Sequence, residues 1–194
     1  MTEQAVTVTR DGALAVVTFD RKGSRNAFSQ AMILELTDIA QKLQRDLTVH
    51  AVVLTGAPDV FAAGIDLRDP GMWDFDNLSD LERREVFYRG VRLCQAWEDM
   101  PQVTIAAIEG FAIGAGVALG LACDFRIMGE NAYLAVPEVQ IGLNLQWGAL
   151  PRLITLVGPA KAKRICLMDE RMSAAQALGW GLIEEIAPDG KTVA

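Results

Sequence analysis

Histidine is almost missing from this chain of 194 residues, which holds only His50. That disfavours imidazole-based triads and multi-histidine metal sites, and a single ring at the entry to the apolar stretch DLTVHAVVLTG reads as structural. Cysteine is scarce as well. Cys94, Cys123 and Cys166 are odd in number, widely spaced and never form a C-x-x-C pair. This argues against a disulfide framework or zinc knuckle, and the expectation is a reducing, cytoplasmic setting with no metal. No apolar run reaches membrane-spanning length, and the opening MTEQAVTVTRDG lacks the basic-then-apolar pattern of a secretory leader. Basic blocks are absent too, and 18 Lys and Arg against 25 Asp and Glu give a net charge of −7. A nucleic-acid partner would call for clustered cations, so none is expected, and neither is a membrane. What remains, 51% hydrophobic and 22% charged, is the balance of a globular chain long enough for one well-filled core.

Along the chain, residues 5–10 and 13–20 alternate apolar and polar around Asp11 and Gly12, the pattern of a hairpin. Residues 26–46 carry Met32, Leu36, Ile39 and Leu43 at helical spacing, with Asn26 or Ser29 as the cap. Residues 51–55 and 103–109 read as buried strands, and 81–100 as a helix stopped by Pro101. Residues 69–80 read as an acidic loop, 110–116 as a glycine-rich turn, and 117–123 as a helix apolar all round. Short strands are expected at 125–128 and 133–136, and a helix with proline in its first turn at 159–168. A further helix, capped by Ser173 and stopped at Gly179, precedes a strand over 182–186. Alternating strands and helices imply an α/β fold.

Two segments share one design: a buried strand, small residues, then a turn or helix. They are VVLTGAPDVFAAGIDL and VTIAAIEGFAIGAGVALGLACD. Such turns expose backbone N–H groups, and a helix start adds partial positive charge. Facing each other, they would make a donor pocket for an oxyanion. Taken singly, each is equally well read as tight strand–helix packing. A dinucleotide fingerprint fits poorly, because three residues rather than two separate Gly116 from Gly120.

Five segments together resemble the crotonase (enoyl-CoA hydratase/isomerase) family. IEGFAIGAGVALGLACDFRI resembles the family's N-G-x-A-x-G-G-G segment, and FAAGIDL resembles its partner F-x-A-G-x-D-L. RNAFSQAM, AYLAVPEVQIGL and SAAQALGWGLIEEI resemble the N-A-L, P-E-x-x-x-G-L and S-A-x-x-A-x-x-x-G-L segments, in the same order. The resemblance implies one catalytic core domain over residues 1–194, a ββα spiral of the ClpP/crotonase type with two sheets and flanking helices. Family members usually continue into further C-terminal helices, which this chain lacks, and they assemble as trimers or pairs of trimers.

It further implies an acyl-CoA thioester as substrate, with coenzyme A arriving as part of it and no tightly bound cofactor. The thioester oxygen would sit between the amides of Ile65 and Ala115, where enolate charge develops. The family offers two glutamate positions. One is Ala118 here; the other is Glu138, which by itself reads equally as a helix-starting acid. A single carboxylate suits migration of a double bond from the 3- to the 2-position better than two-carboxylate hydration. Gln146 stands near a second carboxylate of dienoyl isomerase relatives. Arg21, Lys22 and Arg25 are a candidate phosphate cluster or a solvated loop. Residues expected around the ligand are Arg25, Ala27, Phe28, Ala63, Gly64, Asp66, Leu67, Phe111, Gly114, Ala118, Pro137 and Gln146; structural roles are expected for Asp66, hydrogen-bonding its turn, and for Asp124, an acid at a helix end. Hydration by Glu138 alone, another reaction of the family, and a CoA-ester-binding relative without catalysis are the alternatives, with a nicotinamide dehydrogenase a remote one.

Overall fold

The computed structural model describes residues 5–57 and 59–194; residues 1–4, part of the opening segment read above, lie outside it. The chain begins with the hairpin β1 (Val6–Asp11) and β2 (Leu14–Phe19), paired in register from Val6 opposite Phe19 to Asp11 opposite Leu14. Helix α1 (Gln30–Gln44) follows, capped by the Ser29 hydroxyl, which accepts from the Met32 amide. The apolar row Met32, Ile33, Leu36, Ala40 and Leu43 buries one face of α1. Strand β3 (Ala51–Gly56) then returns parallel to β2.

After β3 come a single-turn helix α2 (Pro70–Trp73) and the long helix α3 (Asp80–Glu98). Ser79 and Glu82 form a reciprocal capping box at the start of α3. Strand β4 (Val103–Ile108) lies parallel beside β3, and β5 (Phe111–Ile113) leads into the buried helix α4 (Ala115–Gly120). Next are β6 (Phe125–Gly129), β7 (Tyr133–Ala135), a 3-10 turn at Pro137–Ile141, and helices α5 (Ala149–Val157) and α6 (Pro159–Leu167). The chain closes through β8 (Met172–Ser173), α7 (Ala174–Trp180) and β9 (Glu185–Ala187).

The strands form two sheets. The larger has the order β1-β2-β3-β4-β6-β9, and the smaller β5-β7-β8. The core includes Phe19, Leu54 and Met128 from the large sheet, Leu93 and Trp97 from α3, and Phe28 and Phe61, all fully buried. Each such side chain contributes roughly 1.5–3 kcal/mol by leaving water. Arg126 is one of the buried charged residues. Its guanidinium donates to the Cys123 and Leu182 carbonyls and pairs with Glu184 at 2.6 Å, so the cation is fully bonded. Among the described residues no helix is long and apolar enough to cross a membrane.

Several elements differ from the sequence reading. The acidic loop contains α2, which starts at Pro70 with the Asp69 carboxylate capping it. The glycine turn contains β5, too short for its alternation to register. Helix α5 was not anticipated, because Gly148 and Pro151 mask its apolar face. Helix α7 runs past Gly179 to a left-handed Gly181, and β9 begins at Glu185 rather than 182. Helices α1 and α3 stop a few residues inside their expected spans.

Candidate active site

Strands β3 and β4 are parallel neighbours, with Thr55 opposite Ala107, so the turns leaving their C-terminal ends emerge side by side. The first turn then runs along β5: the Phe61 amide donates to the Glu109 carbonyl, Ala62 to Phe111, and Ile113 back to Ala62. The two turns are packed backbone to backbone. A Cβ on Gly64 would lie 3.1 Å from the Ile113 oxygen and 3.9 Å from the Ala115 nitrogen. Gly64 and Gly114 have φ of 89° and 50°, conformations that L side chains rarely adopt.

These turns leave two amides without partners. Phe28 donates to the Gly64 carbonyl at 2.7 Å and accepts from the Asp66 amide at 3.0 Å, which skips the intervening Ile65 N–H. Ala115 is the first residue of α4, where no helical acceptor exists for its N–H. Neither amide donates to another group among the described residues. Both residues line an apolar cavity of about 250 Å³, with Ala63, Leu67, Trp73, Pro137 and Ile141 among its walls.

Glu138 reaches the same place from the other sheet. Strand β7 pairs with β5, Ile113 opposite Ala135, and the Gly114 amide donates to the Ala135 carbonyl at 2.9 Å. Three residues later the 3-10 turn delivers Glu138 against Gly114, so close that a Cβ there would sit 2.5 Å from Oε1. Oε2 is buried with no hydrogen-bond partner. Burial, with a further push from Asp169, holds the Glu138 carboxyl above its ordinary value despite its own backbone N–H. Asp169 itself accepts from the Gln140 side chain. A second, inner chamber of about 40 Å³ lies beyond, lined by Ile65, Ala115, Ala118, Glu138, Gln146 and Trp147, among others.

A cationic hollow of about 1010 Å³ adjoins the outer cavity through Ala63, Ile65 and Leu67. Its walls include Arg21, Lys22, Arg25, Ala27 and Arg68. Arg21 pairs with Asp66 at 2.6 Å and donates to the Ala27 carbonyl, so part of its charge serves the turn. Burial pushes the Asp66 carboxyl up, but the Arg68 amide and Arg21 outweigh it and hold it below its ordinary value.

Two expected residues are placed differently. The Phe28 ring is fully buried against Phe19 and Trp147, so it braces the first turn through its backbone and offers no surface. Phe111 stacks on Tyr133 at 5.5 Å and lines neither chamber. Asp124 accepts from the Thr104 amide and hydroxyl, in keeping with the structural role expected for it. Burial pushes the Cys94 and Cys123 thiols up to about 12, so neither is a thiolate nucleophile. Sequence reasoning missed Trp147 as a wall of the site; its aromatic character beside Gln146 was the available signal.

A family model described as enoyl-CoA hydratase/isomerase matches residues 9–194. The chain belongs to that family. This family of enzymes includes the crotonyl-CoA hydratase of Syntrophomonas wolfei, 33% identical over all of this chain and 75% of its own length. The short-chain-enoyl-CoA hydratase of Clostridium acetobutylicum is 31% identical over 93% of this chain and 68% of its own. Among solved structures, DspI of Pseudomonas aeruginosa superposes with a TM-score of 0.88 at 34% identity, covering 98% of this chain and 71% of that one. A protein of Thermobifida fusca YX, titled as a candidate enoyl-CoA hydratase in complex with CoA, gives 0.86 at 32% identity, covering 97% and 74%. The crotonase-type fold of this enoyl-CoA hydratase/isomerase family member is thereby established over nearly its whole length.

Proposed function

We propose that this family member isomerises a 3-enoyl-CoA to the 2-enoyl-CoA, with Glu138 as the sole acid–base group. The carboxylate takes a proton from C2, and the electron pair moves into the thioester carbonyl as an enolate. The Ile65 and Ala115 amides accept the charge on that oxygen. The electrons then return, the double bond moves from C3=C4 to C2=C3, and Glu138 delivers the same proton to C4. The observation that carries this reading is the half-buried Glu138, whose buried Oε2 has no partner, beside two unpartnered amides, with a methyl group, Ala118, where a second acid would stand. The cationic hollow suits the phosphates of the CoA moiety, reached by the pantetheine arm through Ala63 and Leu67.

Hydration by Glu138 alone is the second reading. It is favoured by the inner chamber, whose volume exceeds the roughly 30 Å³ share of one liquid water, and by the names of the relatives. Incubating the protein separately with a 3-enoyl-CoA and with crotonyl-CoA distinguishes the two. Isomer formation from the first without hydration of the second supports isomerisation; the reverse outcome rejects it. Trimers or pairs of trimers belong to this reading, and sedimentation tests them.

A further inference from the structure

The inner chamber ends on one side chain. Trp147 is buried and adopts a left-handed backbone with φ of 57°, unusual for a bulky residue. Its indole lies flat on α3 at Gly90, where an added Cβ would come within 2.0 Å of the ring. The Phe28 ring packs against it with centroids 5.9 Å apart. From below, the Arg152 guanidinium donates to the Trp147 carbonyl and is itself held by Glu98. Helix α3 and Phe28 thus hold the ring, α5 holds its backbone, and the indole lines the chamber together with Ala118 and Glu138.

The three hollows form a single path. The cationic hollow and the outer cavity share Ala63, Ile65 and Leu67; the outer cavity and inner chamber share Ile65, Ala115, Glu138 and Leu143. A thioester laid along it with its CoA end in the cationic hollow puts the carbonyl at the amides and C2 at Glu138. The rest of the acyl group then points into a chamber of about 40 Å³. Little more than the last one or two carbons of a four-carbon acyl group fit there.

We infer that Trp147 is the specificity-determining residue of this site and that the substrate is a short, unbranched acyl-CoA of about four carbons. This rests on the reading of Glu138 and the two amides given above. Gly90 and Ala118 take part as the small residues that let the indole sit where it does and leave the remaining space open.

Calorimetric binding of CoA, butyryl-CoA and octanoyl-CoA tests the inference without turnover. Butyryl-CoA should bind the unaltered protein at least about tenfold tighter than octanoyl-CoA, the scale of discrimination an apolar pocket reaches per misfit group. Trp147→Ala should bring the two within about threefold or reverse them, by the same scale. Should Trp147→Ala lose its fold by circular dichroism, Ala118→Leu gives the complementary reading: weaker butyryl-CoA binding with CoA binding retained. Equal affinity for the two esters in the unaltered protein overturns the inference, as does an unchanged ratio in folded Trp147→Ala or undiminished butyryl-CoA binding by Ala118→Leu. Selective binding without turnover leaves the inference standing and rejects the catalytic assignment of Glu138. Binding of none of the three ligands rejects both.

Discussion

The two turns that present the Ile65 and Ala115 amides perform matching tasks with different materials. The second turn is set in the core: every residue of α4 is buried, and Gly114 is wedged against the Glu138 carboxyl. The first turn faces solvent on one side and is tied by polar contacts, with Arg21 bridging to Asp66, the Arg25 carbonyl accepting from Ala63, and Asp69 capping α2. Packing fixes the second amide; hydrogen bonds on the rim of the cationic hollow fix the first. The second turn is therefore the more deeply packed half of the proposed oxyanion pocket. The first is the half held by polar contacts from residues that also line the hollow.

The widest effect separates the acid from both turns. Glu138→Gln keeps the volume and removes the proton carrier, so turnover should fall by about 10²- to 10⁴-fold while acyl-CoA binding persists. A rate within threefold of the unaltered protein rejects the assignment. Ala115→Pro strikes the second turn. Proline suits a first helical position but deletes the N–H, and kcat should fall by about 10²- to 10³-fold. Gly116→Ala tests the spacing between the turns, because its Cβ would lie 2.9 Å from the Ala62 Cβ. Overpacking of this kind costs roughly 1–3 kcal/mol, visible in urea unfolding, and should lower kcat by moving both amides. Arg21→Ala loosens the polar turn alone. Its part-exposed ion pair contributes at most about 1 kcal/mol to stability, so the sharper effect should be a raised KM with kcat less affected. If Arg21→Ala lowers kcat as much as Gly116→Ala, the contrast between the turns fails.

The smallest effect concerns pH. A base with a raised pKa loses activity as pH falls through that value, so the acid limb of kcat/KM should lie above the ordinary glutamate value of 4.5. For stability the sign is opposite to that of a salt-bridged acid. A carboxyl bound more tightly by its proton in the folded state favours folding at low pH, and that contribution is lost as pH rises through the folded value. Glu138→Gln should therefore raise the melting temperature slightly at pH 7 while lowering activity, and a lowered melting temperature would count against a carboxyl penalised by burial.

Much of this was readable in the chain itself. The five ordered segments carried the fold, and the small residues around Gly64 and Gly114 marked the paired turns because only such residues permit that close approach. Ala118 announced the missing acid by its position alone. What stayed hidden depended on partners distant in sequence. Gly90 inside α3 reads as a weak spot in a helix until the Trp147 ring is seen lying on it. Phe28 looked like a ligand contact from its motif, but burial against Phe19 decides otherwise. Helix α5 was masked by Gly148 and Pro151, and β5 gains its identity from β7 rather than from its own three residues.

The order of strands in the large sheet nearly follows the order of synthesis, since β1 through β4, then β6, add edge to edge as they appear. A chain emerging from the ribosome can therefore lay each parallel strand on a template already in place, before later segments exist. Both amides are synthesised by residue 115, but the second turn is held by the Ala135 carbonyl and so is complete only once β7 has paired with β5. The proposed oxyanion donor at Ala115 and the proposed acid–base group Glu138 therefore settle together, when the chain on either side of β7 docks on β5.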